Sequence, residues 1–339
     1  MERDGPRGEC GVGMMQMTIT RRGALAGLGA AALAGTARAD AWPTKPMTWI
    51  VPTAPGSPLD AFGRPVAAHV AEKLGQAVVI DNRSGAGGTI GIASAARAAP
   101  DGYTMLIGAT SITYLQNIYP AAGYDFVRDF TPVSALARIP LVLVVSPSVL
   151  DVSTLKQFIE AARKKPDAID FGSPGIGTVP HLALEFLQSR AGIKLHHVPY
   201  RNGAQMLQDV LSGHIAATWT TPAEAATYLT GGKLRVLGVS GRRREATLPG
   251  VPTLDEAGLK DFRAVAWFAL FAPKRTPVAI VDRMQAAVQD ALAADDVKAL
   301  WASQGGKVEA ESRADFARFI DQEVVRWNAI AKAANIQLE

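Results

Sequence analysis

Cysteine is almost absent from the sequence, and this narrows the chemistry that is open to the protein. Cys10 is the only cysteine among the 339 residues, and it lies in an N-terminal segment that we expect to be cleaved off. A mature chain without cysteine has no disulfide bond, no thiol nucleophile and no thiolate ligand for a metal ion. We therefore expect no thiol chemistry in the working part of the protein.

Long hydrophobic runs are also missing. The N-terminal apolar run from Gly23 to Gly35 has 13 residues, which is too short to span a bilayer. Two arginines precede it and a small-residue pattern ending at Ala39 follows it, as in an export signal. We therefore predict that residues 1–39 are an export signal with an upstream extension, cleaved near Ala39. The route is Sec or twin-arginine, and the product is soluble and periplasmic.

Basic residues are in only small excess over acidic residues. The formal net charge is +4, and it falls to +2 without residues 1–39, because that segment carries five of the basic and three of the acidic residues. Such a weak excess gives no electrostatic footprint for a polyanion. We predict no nucleic-acid partner.

Nucleotide-binding, catalytic and metal-binding motifs are absent. Gly175 and Gly177 begin a G-x-G-x-x-G pattern, but Pro180 stands where the last glycine belongs. The chain has no P-loop lysine, no G-x-S-x-G and no H-E-x-x-H. His196 and His197 point to opposite faces of a predicted strand and cannot hold one ion together. We predict no catalytic residue, no metal and no cofactor. The alternative is an exported enzyme with the same fold.

Short runs typical of β-strands alternate with helical patterns along the chain. Residues 47–54 and 77–82 read as strands on either side of a helix over 60–75. This alternation predicts an α/β protein with parallel sheets covered on both faces. The further strand candidates are 103–110, 141–146, 169–173, 195–200, 214–220, 234–240 and 264–272.

Four predicted strand-to-helix loops are rich in glycine, serine, threonine and proline and poor in lysine and arginine. Ligands of open α/β sheets bind at such strand ends, and free amides at a helix start favour an anion. Each hydrogen bond to a carboxylate adds roughly 1.5–3 kcal/mol. An anion site and a set of ordinary helix caps both remain open readings. The loops span 51–60, 108–113, 170–182 and 219–225.

A family resemblance is carried by sequence runs in a consistent order. They include "IVPTAPGSPLD", "VVIDNRSGAGGTIG", "GSPGIGTVPHLALE" and "HVPYRNGAQMLQDVLSGHI". The chain resembles the extracytoplasmic solute receptors of tripartite tricarboxylate transporters, the Bug-type binding proteins. The resemblance implies an α/β, two-lobed periplasmic-binding-protein fold, class II-like, with a ligand cleft between the lobes. Lobe 1 would take residues 42–140 and 265–339, and lobe 2 residues 141–264.

The resemblance also implies a function and a set of ligand-binding residues. The protein would capture a small carboxylate (a dicarboxylate, an amino acid or an aromatic acid) and deliver it, as a monomer, to a membrane transporter. Presentation of the ligand to a membrane sensor kinase is the alternative. Asp60 is expected to anchor its own loop, and Tyr200 to support the wall of the cleft. The implied ligand-binding residues are Thr53, Pro55, Gly56, Ser57, Pro58, Asp60, Thr110, Ser111, Ser173, Gly175, Gly177, Thr178, His181, Thr220 and Thr221.

The sequence departs from the family pattern at three positions. The family usually has phenylalanine at Thr53, glycine at Ser57 and glycine at Asn202. Asparagine tolerates a left-handed backbone, so Asn202 is expected to adopt one. Ser57 adds a hydroxyl to the carboxylate loop, which argues against the commonest ligand of the family. Alanine at Ser173 or Thr178 is expected to weaken binding with folding nearly intact.

Overall fold

A computed structural model describes residues 42–119, 121–229, 231–307 and 311–336. The predicted export signal lies outside these residues. Within them, no helix combines the length and the apolar character that crossing a membrane requires.

The first sheet has five strands in the order β2-β1-β3-β10-β4. β1 runs parallel to β2 and β3, whereas β10 runs antiparallel to β3 and β4. The strands are β1 (Met47–Val51), β2 (Val78–Asn82), β3 (Thr104–Ala109), β4 (Phe130–Pro140) and β10 (Val265–Pro273). The helices of these segments are α1 (Pro58–Leu74), α2 (Thr89–Ala96), α3 (Leu115–Ile118), α4 (Phe126–Asp129), α9 (Val278–Leu292), α10 (Asp295–Ser303) and α11 (Arg313–Ala333).

The second sheet is built from the middle of the chain, in the order β7-β6-β8-β5-β9. β6 is parallel to β7 and β8, and β5 is antiparallel to β8 and β9. The strands are β5 (Val142–Val145), β6 (Asp170–Ser173), β7 (His196–Pro199), β8 (Ala217–Thr220) and β9 (Arg235–Val239). The helices are α5 (Leu155–Lys164), α6 (Val179–Ala191), α7 (Gly203–Leu211) and α8 (Pro222–Leu229).

Both sheets are mixed, so the prediction of parallel sheets is wrong for β5 and β10. A parallel neighbour needs a crossover connection, usually a helix, that returns the chain to the same end of the sheet. β5 instead follows β4 after the single residue Leu141, and β10 also enters from the other sheet. A strand that arrives from the opposite sheet has no such crossover, and both of these strands run antiparallel.

The two passages between the sheets are joined by one buried serine. The Ser240 hydroxyl accepts from the amide of Leu141 at 2.8 Å and donates to the carbonyl of Ala264 at 2.6 Å. The Ser240 amide donates to the carbonyl of Leu141 at 2.8 Å. Both connections between the sheets are thereby held side by side.

The long helix α11 packs an apolar face that includes a carboxylate. Phe316, Ile320 and Trp327 are buried on this face, as their helical spacing predicts. Glu323 is buried among them and accepts hydrogen bonds from the indole groups of Trp267 at 3.1 Å and Trp327 at 2.8 Å. Burial raises the pKa of Glu323, and the two indole donors compensate its lost hydration.

Candidate functional site

The four candidate loops leave two sheet edges that meet. β1 and β3 are parallel neighbours, so the loops that begin at Thr53 and Thr110 leave the same edge of the first sheet. β6 and β8 place the loops at Ser173 and Thr220 on one edge of the second sheet. A hydrogen bond of 3.0 Å from the Tyr114 hydroxyl, just after β3, to the carbonyl of Gly177, just after β6, connects the two edges.

Asp60 anchors the loop between β1 and α1. It is buried, and its carboxylate accepts from the Gly56 amide at 2.9 Å, from Asn82 at 2.9 Å and from two nitrogens of Arg64 at 2.8 and 2.9 Å. The hydrogen bonds from Arg64 are the largest cause that lowers the pKa of Asp60 to about 2. The positive φ of 78° at Gly56 aims its amide at the carboxylate. Asp60 therefore stabilises the loop, and its carboxylate provides no hydrogen-bond donor for an anion.

The hydroxyl groups of Thr53 and Ser57 form a pair 2.6 Å apart in this loop. Ser57 is the N-cap of α1, with Pro58 at the first helical position, as the sequence predicts. The Ser57 hydroxyl accepts from the Asp60 amide at 3.4 Å. One of the two hydroxyl protons makes the hydrogen bond between Thr53 and Ser57. The other has no acceptor among the described residues. Pro55 and Pro58 border this half-buried pair.

The loop between β6 and α6 uses its own hydroxyl groups to hold its shape. Ser173 is fully buried, and its hydroxyl lies 2.7 Å from Nε2 of His197 and 3.2 Å from the amide and the carbonyl of Gly175. The Thr178 hydroxyl donates to the carbonyl of Gly175 at 2.7 Å. Thr178 is the N-cap residue of α6, yet its side chain makes no capping hydrogen bond. The Thr178 hydroxyl therefore stabilises the loop that precedes α6 and does not cap the helix.

His181 supports the same loop from the first turn of α6. Its Nδ1 accepts from the amide of Gly177 at 3.0 Å, so the proton of the neutral ring is on Nε2. The ring stacks on His197 with centroids 4.1 Å apart, and Nε2 lies 3.8 Å from a carboxylate oxygen of Glu185. Burial, with a smaller contribution from His197, lowers the pKa of His181 to about 4. His181 is a neutral structural histidine near neutral pH.

The short segment after β3 offers one free hydroxyl. Thr110 is buried, and its hydroxyl accepts from the amide of Trp267 at 2.8 Å in the neighbouring strand. The adjacent Ser111 is half-buried, and its hydroxyl has no hydrogen-bond partner among the described residues. Ser111 is therefore the side chain at this strand end that is available to a ligand.

The loop between β8 and α8 already holds a carboxylate of its own chain. The Glu224 carboxylate accepts from the hydroxyl groups of Thr220 and Thr221 and, at 3.4 Å, from the Thr221 amide. The Glu224 amide donates back to the Thr221 hydroxyl at 3.2 Å, which completes a capping box. The Thr221-x-x-Glu224 spacing was a readable signal for this arrangement. It occupies donors that the sequence suggests are free.

Backbone amides are the remaining donors at these edges. Those of Leu59 in α1 and of Val179 and His181 in α6 donate to no acceptor among the described residues. All three lie in the first turn of a helix, where the helix dipole favours an anion. The anion site at these loops stays a prediction, and most of the hydroxyl groups that the sequence singles out are engaged within their own loops.

Three residues follow β7, and they differ in their contacts. The Tyr200 amide donates to the carbonyl of Ser173 at 2.8 Å, so this residue supports the neighbouring loop. Its hydroxyl donates to Asp209 at 2.7 Å, while burial raises its pKa to about 12. Arg201 is exposed. The expected left-handed backbone at Asn202 is wrong: its φ is −155°, and its side chain caps α7 by accepting from Gln205 at 2.9 Å.

Metal ligands do not cluster anywhere in the described part of the chain. No group of three or more histidine, cysteine, aspartate or glutamate residues is arranged there to hold a metal ion.

Comparisons with known proteins point in one direction. Residues 62–336 match the model of a family described as "Tripartite tricarboxylate transporter family receptor". Protein BugT of Bordetella pertussis is 32% identical over 327 residues, which cover 95% of this chain and 100% of BugT. The structure of R. palustris Rpa4515 with adipate is 34% identical, with a TM-score of 0.72 and coverage of 87% of this chain and 99% of that one. MatC (Rpa3494) from Rhodopseudomonas palustris with bound malate is 30% identical, with a TM-score of 0.70 and coverage of 85% and 99%.

Proposed function

The chain belongs to the tripartite tricarboxylate transporter receptor family, and we propose that it captures a small carboxylate between its two sheets. The captured acid would then be delivered to a membrane transporter of the tripartite tricarboxylate type. The observation that carries this proposal is the meeting of two sheet edges that retain unused donors. These are the amides of Leu59, Val179 and His181 and the hydroxyl of Ser111.

These donors are sufficient for a useful affinity without a cation. A hydrogen bond to a charged group contributes roughly 1.5–3 kcal/mol, and micromolar affinity corresponds to about −8 kcal/mol. Three to five such bonds to one carboxylate therefore reach the required range. Arg64 is the guanidinium next to the first loop, and it is already paired with Asp60 at 2.8 Å.

A dicarboxylate is the ligand class that we propose first. Adipate and malate, which accompany the two similar structures, are both dicarboxylates. The unused hydroxyl proton of the Thr53–Ser57 pair adds a donor to the first loop. Amino acids and aromatic acids remain in the proposed range because Ser111 and the helix amides recognise one carboxylate only.

We propose binding without turnover. Ser173 and His197 resemble a nucleophile and its base, with 2.7 Å between Oγ and Nε2. The serine is fully buried, and its oxygen is also engaged with the amide of Gly175 at 3.2 Å. A nucleophile has to reach its substrate, so this pair is better explained as support for the loop.

The cellular setting follows from the predicted export signal. We propose a periplasmic receptor that acts as a monomer and docks on integral-membrane transporter subunits. Photo-crosslinking in membranes of the source cell, followed by identification of the partner, tests this. A multispanning permease supports the proposal, and a sensor-kinase ectodomain contradicts it.

The ligand proposal is tested by native mass spectrometry of the purified protein and by calorimetric titration with adipate, malate, glutamate and benzoate. A co-purifying acid or saturable binding of one of these supports it. Absence of binding to every acid, with an apo mass, contradicts it.

Ser111→Ala tests the placement of the site. We expect the affinity for the bound acid to fall about tenfold or more, because a hydrogen bond to a charged group is lost, with unchanged folding stability. Ser189→Ala, on the exposed face of α6, is the matched control and should bind like the wild type. Wild-type affinity in Ser111→Ala would remove this residue from the site.

A further inference from the structure

Tyr114 makes a contact that no sequence motif predicts. It joins the first-sheet unit, which is the first sheet with α1–α4 and α9–α11, to the second-sheet unit, which is the second sheet with α5–α8. It follows the turn Thr110–Thr113 at the end of β3 and is completely buried. Its ring packs near Trp327 of α11, with centroids 6.0 Å apart, and its hydroxyl donates to the carbonyl of Gly177 at 3.0 Å. Burial raises the pKa of Tyr114, so the hydroxyl remains a donor at physiological pH.

Gly177 is held from both sides. Its carbonyl accepts from Tyr114 of the first-sheet unit, while its amide donates to Nδ1 of His181 in the second-sheet unit, at 3.0 Å. Its φ of 76° lies in the left-handed region, which suits glycine and orients the two groups of this residue. The carbonyl can keep its partner only while the two sheet edges stay together.

We propose that Tyr114 is a positioning residue that couples closure of the two sheet units to the shape of the loop from Ser173 to His181. This inference rests on the proposed function, since that loop presents the Val179 and His181 amides to the ligand. When the sheet edges separate, the Tyr114 hydroxyl loses the Gly177 carbonyl. An interaction made in one of two states shifts the population toward that state, so this bond favours the closed form with an ordered loop.

Tyr114→Phe isolates the hydroxyl, because the ring and its packing are kept. Tyr124→Phe is the matched control: Tyr124 is also buried, and its hydroxyl donates at 3.3 Å to the carbonyl of Ile112, within the first-sheet unit. Dissociation rates and affinities are measured by stopped flow and calorimetry with adipate and malate. Because the net value of one hydrogen bond is modest, we expect about three- to tenfold weaker binding in Tyr114→Phe, through faster dissociation.

A second readout does not depend on the ligand. Cys10 is the only native cysteine and lies in the predicted signal, so Val149→Cys and Val278→Cys can be spin-labelled selectively in the mature chain. Both positions are exposed: Val149 lies in the loop between β5 and α5, and Val278 is the first residue of α9. In the ligand-free protein, Tyr114→Phe should shift the measured distance distribution away from that of the wild type, and Tyr124→Phe should not.

The outcomes separate the two proposals. An unaltered distance distribution in Tyr114→Phe, or equal shifts in both variants, overturns the coupling role, whatever happens to thermal stability. Unaltered dissociation of a bound acid overturns it as well. If the wild type binds neither adipate nor malate, the dicarboxylate proposal fails, while the ligand-free distances still decide the role of Tyr114.

Discussion

Individual side chains in the candidate loops divide into those that hold the loop and those that remain available. The Asp60 carboxylate accepts hydrogen bonds from Arg64, Asn82 and Gly56. Glu224, in the first turn of α8, likewise accepts from its own loop. The Ser111 hydroxyl, by contrast, bonds to no other group in the described ranges of the chain. Since a bound carboxylate has to replace its hydration by protein donors, we propose the unengaged groups as its binding partners.

The neutral state of His181 makes stability depend on pH. Its pKa is lowered from 6.5 to about 4 in the folded protein, mainly by burial. The unfolded chain therefore binds a proton more readily between these values, and acid favours unfolding. The stability that the neutral His181 ring contributes is fully present above about pH 6.5 and is lost as the pH falls toward about 4. At about 1.4 kcal/mol for each pKa unit, the loss is roughly 3 kcal/mol.

Urea unfolding from pH 7 to pH 4 measures this dependence. His181→Asn keeps a neutral acceptor near the Gly177 amide and should flatten the profile over this range. His197, whose pKa is also lowered, leaves a smaller slope in that variant. An equally steep profile in His181→Asn would assign the acid sensitivity to other groups.

At the scale of helices and strands, features set by neighbouring residues were predictable. Ser57-Pro58 and Thr221-Pro222 stand at the starts of helices, where a hydroxyl residue followed by proline is favoured because capping acts within one turn. The two-lobed α/β fold implied by the family resemblance is also confirmed. The directions of β5 and β10 were not predictable from local pattern, since direction depends on how the chain passes between sheets. Tyr114 gave no signal for the same reason: its acceptor lies 63 residues away.

The contacts of the loop between β6 and α6 replace the expectation that alanine at Ser173 leaves folding nearly intact. Ser173→Ala removes a fully buried hydroxyl that serves His197 and Gly175, so we expect about 1–3 kcal/mol lower stability as well as weaker binding. Thr178→Ala removes one hydrogen bond at a half-buried position and should cost about 0.5–1.5 kcal/mol. Urea denaturation of both variants checks that Ser173→Ala loses more stability than Thr178→Ala, and calorimetry measures their ligand binding. Equal stability of Ser173→Ala and the wild type would contradict it.

At the scale of the whole molecule, two sheets with the same strand arrangement are joined by two adjacent passages. Ser240 ties them together through Leu141 and Ala264. A hinge between lobes has to bend at such connections. The division into two lobes at these residues remains a prediction. Ser240 and Tyr114 thus each make a hydrogen bond to a segment far away in the sequence, and we propose that both restrain the movement between the two sheets.

Ser240→Ala tests the joint. Loss of the hydroxyl leaves the buried amide of Leu141 without its acceptor, and we expect about 1–3 kcal/mol lower folding stability. Faster hydrogen exchange at Leu141 and a broader distance distribution between spin labels at Val149→Cys and Val278→Cys should accompany it. Ser134→Ala is the matched control, because Ser134 is equally buried and its hydroxyl bonds Ala135 and Gln289 within the first-sheet unit.

The comparison of these two serines separates loss of stability from loss of hinge control. Both variants should unfold at lower urea concentration, since each leaves a buried polar group without its partner. The distance distribution should broaden in Ser240→Ala alone, because, of these two serine hydroxyls, only that of Ser240 links the two passages. Equal broadening in both variants would mean that the sheets move apart through general destabilisation, and the hinge role of Ser240 would be wrong.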